Sequence, residues 1–165
     1  MPLQLLPDPD PALATLARAL DQARAASYPL TFAVSRIAES DSEATLALDT
    51  LAAQVGYQGL GVHWIEVPRR IAAKLLRHLI GGELAYPAEV VPDEQAAALS
   101  ASFLGLFPEG TRYFTNGAIS GDCAIYDRTG NEVVGWRSLS AAPFDNGVIA
   151  LGGGRVGLLW AEDAP

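Results

Sequence analysis

Apolar residues recur at helical spacing through much of the first two thirds of the chain and in short strand-like runs through the last third. The helical pattern is clear after Asp10-Pro11, because aspartate is a good N-cap residue and proline suits the first helical position. Leu13, Leu16 and Leu20 then follow on one face. These features predict a helix over residues 11–26.

Three further stretches predict helices. Ser40 and Glu43 have the spacing of a capping box, and Gly56 stands where a C-terminal glycine cap belongs, so a second helix is predicted between them. A strand at Ala44–Leu48 is the alternative for that stretch. The third and fourth helices are predicted over residues 68–80 and 93–106, with inward faces formed by Ile71, Leu75, Leu76 and Leu79 and by Leu99, Phe103 and Leu106.

Runs of β-branched and aromatic residues predict strands over residues 30–37, 62–67 and 111–115. Two hairpins are predicted after them, one joining 123–127 to 132–136 through Gly130-Asn131 and one joining 148–151 to 156–160 through Gly152 to Gly154. The pattern as a whole predicts a single α+β domain over residues 1–165. Its N-terminal helices would pack on a mostly antiparallel sheet of six or seven strands, concentrated towards the C-terminus.

The composition is typical of a folded chain, with half of the 165 residues apolar and 18% charged. No apolar run approaches the ~20 residues of a membrane helix, and the first residues lack the basic start of a signal peptide. A single cysteine, Cys123, fits a reducing cytoplasm, and the alanine-, leucine-, glycine- and arginine-rich composition suggests a bacterial source. We expect no metal or other cofactor, because no cluster of ligand residues joins the two histidines.

The formal net charge is −8, and the basic residues are unevenly placed. Arg69, Arg70, Lys74 and Arg77 form one basic helix face, which leaves nineteen acidic and seven basic residues in the rest of the chain. The basic face could contact an anion or an acidic partner, but we interpret it as a solvated face, since charge runs usually are. The acidic remainder argues against nucleic acid and anionic membranes as partners and favours cationic ones.

Two short motifs have functional counterparts elsewhere. Residues Phe107 to Arg112 resemble the Phe-Pro-Glu-Gly-Thr-Arg block of glycerolipid acyltransferases, in which the glutamate and arginine help to hold the phosphate of the acyl acceptor. Those enzymes also need a histidine with an aspartate five positions later, and neither His63 nor His78 has one. We therefore interpret the block as a helix stop followed by a strand.

The second motif, Gly152 to Gly157, matches the Gly-x-Gly-x-x-Gly fingerprint of dinucleotide-binding proteins. That use needs a helix after the glycines and an acidic residue about 20 positions further on. Only eight residues follow Gly157, and they continue as a strand. The motif is therefore interpreted as a hairpin turn.

Cys123 with His63 is the one nucleophile–base pair that would support an enzyme, a thiol-dependent hydrolase or transferase. A catalytic thiolate needs a nearby cation or a helix N-terminus, whereas Asp122 and Asp127 flank this cysteine. Its apolar neighbours are more typical of a small buried residue. We keep the enzyme as the alternative function and predict no catalytic residue.

Five residues near turns of the predicted sheet are candidates for partner binding: Tyr113, Asn116, Trp136, Asp145 and Asn146. We expect them at one sheet edge as an exposed aromatic and acidic patch, because aromatic residues suit interface cores. The resulting hypothesis is a non-enzymatic cytoplasmic protein-binding module. It would be an acidic inhibitor or immunity-type protein that neutralises a basic partner such as a bacterial toxin, and a homo-oligomer formed through a sheet edge is also possible.

Overall fold

The computed structural model describes residues 3–38, 43–86, 88–119 and 123–164. Its strands are β1 (Leu5–Pro7), β2 (Leu30–Ile37), β3 (Ile65–Val67), β4 (Arg112–Thr115), β5 (Gly117–Ala118), β6 (Gly135–Trp136), β7 (Phe144–Gly152) and β8 (Arg155–Asp163). Its helices are α1 (Pro11–Ala23), α2 (Ala44–Gln54), α3 (Arg69–Gly81) and α4 (Asp93–Leu104), and a 3₁₀ turn covers Gly61–His63. The predicted α+β class, with helices packed on a mostly antiparallel sheet, is confirmed.

Six strands form one antiparallel sheet in the order β1-β2-β8-β7-β4-β3, and β5 pairs with β6 in a separate two-stranded sheet. The nine-residue strands β7 and β8 lie in the middle of the large sheet and form the second predicted hairpin. Gly153 and Gly154 form its two-residue turn with φ values of 62° and 74°, a region that glycine occupies without strain. This hairpin is the scaffold on which the other elements pack.

Helices cover both faces of the sheet. Leu16 of α1, Leu76 of α3 and Phe103 of α4 pack with Val148 and Leu159 on one face. On the other face, α2 contributes Leu48 and Leu51 to a core that contains Phe114, Ile149, Leu158 and Trp160. Because side chains alternate between faces along a strand, residues 145–150 and 156–161 are buried without interruption.

The predicted helices are all present, with ends that differ from the predicted ones by a few residues. The first ends at Ala23 and the fourth at Leu104, and the alternative strand at Ala44–Leu48 is wrong because these residues begin α2. Gly56, with φ 89°, follows the C-cap residue of α2 as predicted. The capping-box residue Ser40 lies outside the described residues. No helix in the described ranges is long and apolar enough to span a membrane.

The first predicted hairpin is only partly correct. A single bridge joins Tyr126 to Glu132 around Gly130, which has φ 89°. The second arm then leaves this pairing, because Gly135 and Trp136 pair with β5. The strand predicted over residues 62–67 is likewise reduced to β3, because the 3₁₀ turn precedes it.

Candidate contact surfaces

Three of the five predicted partner-binding residues come together, but in the interior of the protein. Asn146 Nδ2 donates hydrogen bonds to Asn116 Oδ1 at 2.8 Å and to the Gly117 carbonyl at 2.9 Å. Asn116 Nδ2 donates to the backbone carbonyls of Arg137 and Asp145, both at 2.8 Å. Asn116, Asp145 and Asn146 are each at most 2% exposed. They hold Gly117 of β5 and Arg137, the residue after β6, against the start of β7.

The Asp145 carboxylate accepts hydrogen bonds at both oxygens. Oδ1 accepts from the Leu139 backbone N–H and from Trp160 Nε1, each at 3.0 Å. Oδ2 accepts from the backbone N–H and the hydroxyl of Ser140, at 3.2 and 3.0 Å. A buried carboxylate needs such partners, since an unpaired one would be strongly destabilising. Asp145 therefore fixes the loop before β7 and orients the central tryptophan.

The other two predicted residues also have structural contacts. Tyr113 is 3% exposed and packs in the core beneath the α1, α3 and α4 helices. Trp136 is half-buried and lies beside Phe144, with 6.3 Å between the ring centroids. The expectation of an exposed patch is thus wrong for Tyr113, Asn116, Asp145 and Asn146. The turn residues of this region face inward because helices and loops cover both sides of the sheet.

Cys123 lies in the core on the α3 side of the sheet and is 5% exposed. Burial raises the pKa of its thiol, and the charge of Lys74 lowers that pKa to a smaller extent. A small pocket of about 240 Å³ contains Cys123, and neither histidine lines it in the part of the chain that the structure describes. A thiol enzyme that uses Cys123 with His63 stays a prediction without a supporting contact.

The arginine of the acyltransferase-like block is held by a carboxylate of the protein itself. Arg112 donates to Glu66 at 2.8 and 3.1 Å, and Arg128 donates to the same carboxylate at 3.1 Å. The hydrogen bond from Arg112 is the main cause that lowers the pKa of Glu66. Gly110, with φ 86°, forms the turn after Pro108. The block therefore leads into β4 as predicted, but it is not the helix stop, because α4 has already ended at Leu104 with Gly105 as its C-cap residue.

A groove between α3 and α4 follows the basic helix face. It has a volume of about 420 Å³ and is lined by Arg69, Arg70, Ala73, Lys74, Arg77, Ala97, Ser100, Ala101 and Leu104. Arg77 pairs with Asp93, with Nε 2.7 Å from Oδ1, and Lys74 donates to the Ala124 carbonyl. Arg69 and Arg70 have no hydrogen-bond or ion-pair partner within the described ranges. We call this feature the basic groove.

The two unpaired arginines lie where a helix favours negative charge. They occupy the first turn of α3, which contains no acidic residue, and the N-cap residue Pro68 provides no side-chain cap. The partial positive charge of a helix N-terminus makes each cation there unfavourable by about 0.3–1 kcal/mol. The basic groove is therefore an electropositive site within a protein whose net charge is −8.

A different exposed surface combines aromatic and acidic residues at the C-terminal end of α3. The loop after α1 presents Tyr28, 47% exposed, and the loop after α3 presents Tyr86, 54% exposed. Glu83 and Glu89 belong to the second loop, and Glu83 Oε1 accepts a hydrogen bond from Ser27 at 3.4 Å. We call these four residues, Tyr28, Glu83, Tyr86 and Glu89, the tyrosine–acid surface.

Buried Arg24 connects the two loops of this surface. Its guanidinium donates to the carbonyls of Leu79, Ile80 and Gly82 at 2.7–3.2 Å and to the Tyr28 carbonyl at 3.1 and 3.3 Å. Burial lowers the pKa of Arg24. The negative charges of Asp163 and Glu83 raise that pKa and so oppose part of the shift. Arg24 thus satisfies the last carbonyls of α3, where a cation also suits the helix dipole.

Asp163, at the end of β8, fixes the second loop from the other side. Its Oδ2 accepts from the backbone N–H groups of Leu84 and Ala85, at 2.9 and 3.0 Å. Tyr28-Pro29 and residues 83–92 lie between the predicted elements and have no helix or strand pattern, so local sequence did not indicate this surface. Exposed tyrosines next to prolines and glutamates were the available signal, but their proximity depends on the long-range contacts of Arg24 and Asp163.

Comparison of the chain with protein-family models, with curated proteins and with solved structures found no match.

Proposed function

We propose that the protein is a non-enzymatic protein-binding module that uses the tyrosine–acid surface to bind a basic partner. The observation that carries this proposal is the pair of exposed tyrosines, Tyr28 and Tyr86, on two loops joined through Arg24. Tyrosine contributes a large contact area and loses little conformational entropy on binding, so it is frequent in binding surfaces. Because Arg24 already holds both loops in place, their backbone should lose little further conformational entropy when a partner binds.

Charge supports a basic partner. Glu83 and Glu89 flank Tyr86, and the whole chain has a net charge of −8. Complementary charge accelerates and orients association, and it disfavours acidic competitors. We place the activity in the bacterial cytoplasm and assign it to an inhibitor or immunity-type protein, because toxins that act on nucleic acids have the positive surfaces that this surface would match.

The proposal is tested by comparing partner capture with two variants. The wild-type protein, a Tyr28→Ala/Tyr86→Ala variant and a Tyr126→Ala control are immobilised and exposed to a lysate of the native cell at low salt. Tyr126 is 41% exposed and lies outside the tyrosine–acid surface, which makes it a matched control. We expect a basic protein that the wild type and the control retain, and that the double variant binds at least tenfold more weakly, a loss of about 1.4 kcal/mol.

Purified partner and a salt series complete the test. Affinity should fall as salt rises, and a Glu83→Gln/Glu89→Gln variant should show a weaker dependence on salt because it has lost two of the interacting charges. Retention of the partner by the double tyrosine variant at full affinity would contradict the proposal. Capture of only a second copy of this chain would instead identify a homo-oligomer.

A further inference from the structure

We infer that the basic groove is a second binding site, separate from the tyrosine–acid surface, and that it takes a small organic phosphate. Its phosphate would lie between Arg69 and Arg70, and its apolar part would lie on the floor formed by Ala73, Ala101 and Leu104. This inference rests on different residues from the proposed function, so either can fail without the other.

The cations converge on one concave space. Arg70, Lys74 and Arg77 are four and three residues apart, which places them along one side of α3, and Arg69 lies one turn before Ala73 and two turns before Arg77. All four line the groove, and none of its described lining residues is acidic. Apart from Leu104, the uncharged lining residues are alanine and serine, whose short side chains leave the groove open.

Arg69 and Arg70 differ from five other arginines, whose guanidinium groups have hydrogen-bond partners within the protein. Arg24, Arg77, Arg112, Arg128 and Arg155 each donate to a carboxylate or to backbone carbonyls. Arg69 and Arg70 have no such partner in the described part of the chain, although they lie beside the C-terminal end of α4. The chain has nineteen acidic residues, yet none is in the first turn of α3. Acidic residues are the ones that suit the first turn of a helix, and sequences depart from such local preferences mainly at functional sites.

The chemistry of the groove selects phosphate. Guanidinium groups bind phosphate oxygens through pairs of parallel hydrogen bonds, and the free N–H groups at the start of α3 favour an anion at the same end. A volume of about 420 Å³ exceeds what one phosphate needs and leaves the apolar floor to an organic group. A planar, single-ring phosphate ester fits both requirements.

The test uses phenyl phosphate as the probe, with inorganic phosphate and phenol as its two halves. Binding is followed by amide chemical shifts and by thermal unfolding. We expect phenyl phosphate to bind more tightly than either half, to shift amides of α3 and α4, and to raise the midpoint of unfolding with concentration. The Arg69→Ala/Arg70→Ala variant should bind at least about tenfold more weakly, because it lacks the charge-assisted hydrogen bonds.

Arg18→Ala provides the matched control, since Arg18 is an exposed arginine on α1, another helix. It should bind phenyl phosphate as the wild type does. Without ligand, the double variant should unfold at the same or a higher temperature than the wild type, because it has lost two cations at a helix N-terminus. Equal binding by the double variant and the wild type would overturn the inference, as would no binding of phenyl phosphate at millimolar concentration. Binding of a poly-glutamate peptide in place of phenyl phosphate, lost in the double variant, would overturn it in favour of an acidic protein segment.

Discussion

At the scale of single residues, the most informative positions are polar groups in the interior. Asp145 is fully buried, and both of its oxygens accept hydrogen bonds from backbone and side-chain donors. Each of these donors would lose its partner without the carboxylate, and a buried unsatisfied donor costs about 1–3 kcal/mol. The residue therefore contributes to stability through the groups it satisfies.

We predict that Asp145→Ala lowers the free energy of unfolding by about 3 kcal/mol or more, because the Leu139 N–H and Trp160 Nε1 lose their acceptor. Ser140→Ala, which removes the hydroxyl that donates to Asp145 and accepts from the Ala142 N–H, should cost about 1 kcal/mol. Urea unfolding monitored by tryptophan fluorescence measures both values. Equal stability of Asp145→Ala and the wild type would show that the network is not needed.

At the scale of elements, the β7–β8 hairpin depends on a close contact between glycine and tryptophan. Gly147 and Trp160 are direct cross-strand partners. The Trp160 ring lies against the Gly147 backbone, so that a Cβ added at Gly147 would collide with ring atom Cε3 and with the Leu159 carbonyl. Trp64 also packs edge-on against Trp160, with 6.2 Å between ring centroids. The glycine makes room for the largest side chain of this core.

We predict that Gly147→Ala destabilises the protein by about 1–3 kcal/mol, the usual range for overpacking, and alters the near-ultraviolet circular dichroism of Trp160. Gly81→Ala is the control. A Cβ at Gly81 would have its nearest neighbour at 3.4 Å, an ordinary contact, and alanine favours a helix by about 1 kcal/mol over glycine. The control should therefore be neutral or stabilising. A Gly147→Ala variant as stable as the wild type would contradict the contact.

At the scale of the whole molecule, Arg155 links the N-terminal segment to the central hairpin and to the turn that follows α4. It donates to Asp8 at 2.6 and 3.1 Å, to Asp10 at 2.8 Å and to the Leu106 carbonyl at 2.7 Å. Burial raises the pKa of Asp8, but hydrogen bonds from Arg155 and from the Asp10 N–H outweigh it and lower the pKa. The hydrogen bond from Arg155 is also the main cause that lowers the pKa of Asp10.

These shifts predict how stability depends on pH. The folded pKa values of both aspartates lie below the value of about 4 for an unfolded chain. Their stabilising contribution is therefore complete above that value and is lost as pH falls through the folded pKa values. We expect the free energy of unfolding to decrease steadily below about pH 4.

The Asp8→Asn/Asp10→Asn variant tests this dependence. It should be less stable than the wild type at neutral pH. Its free energy of unfolding should also fall less steeply as the pH is lowered, because two titrating groups have been removed. Asparagine is itself a good N-cap, so the start of α1 at position 10 keeps a capping side chain. Urea unfolding across the acidic range measures the two slopes. If the free energy of unfolding of the variant and of the wild type fell equally steeply with pH, the ion pairs of Arg155 with Asp8 and Asp10 would not contribute to the pH dependence.

The candidate surfaces illustrate what could be predicted from local patterns and what could not. The basic side of the groove was visible as arginines and a lysine at helical spacing. Ala101 and Leu104 of its floor come from α4, more than twenty residues after the last of these cations. The aromatic and acidic surface was expected near Asn116 and Asp145, which are buried. The exposed aromatic and acidic residues are instead those of the tyrosine–acid surface, which includes Tyr28 and Tyr86. Burial on a two-sided sheet depends on which helices cover each face, and local sequence carries no such information.

The sequence by itself determined the α+β class, four helices and the hairpin through Gly153 and Gly154, because hydrophobic period, caps and glycine turns act over a few residues. Tertiary structure alone decided that β6 pairs with β5, that α2 lies opposite the other helices, and that Arg24 joins two loops. These contacts join residues far apart in the chain. Their stability depends on desolvation and on the satisfaction of buried polar groups, which exist only once the chain has packed.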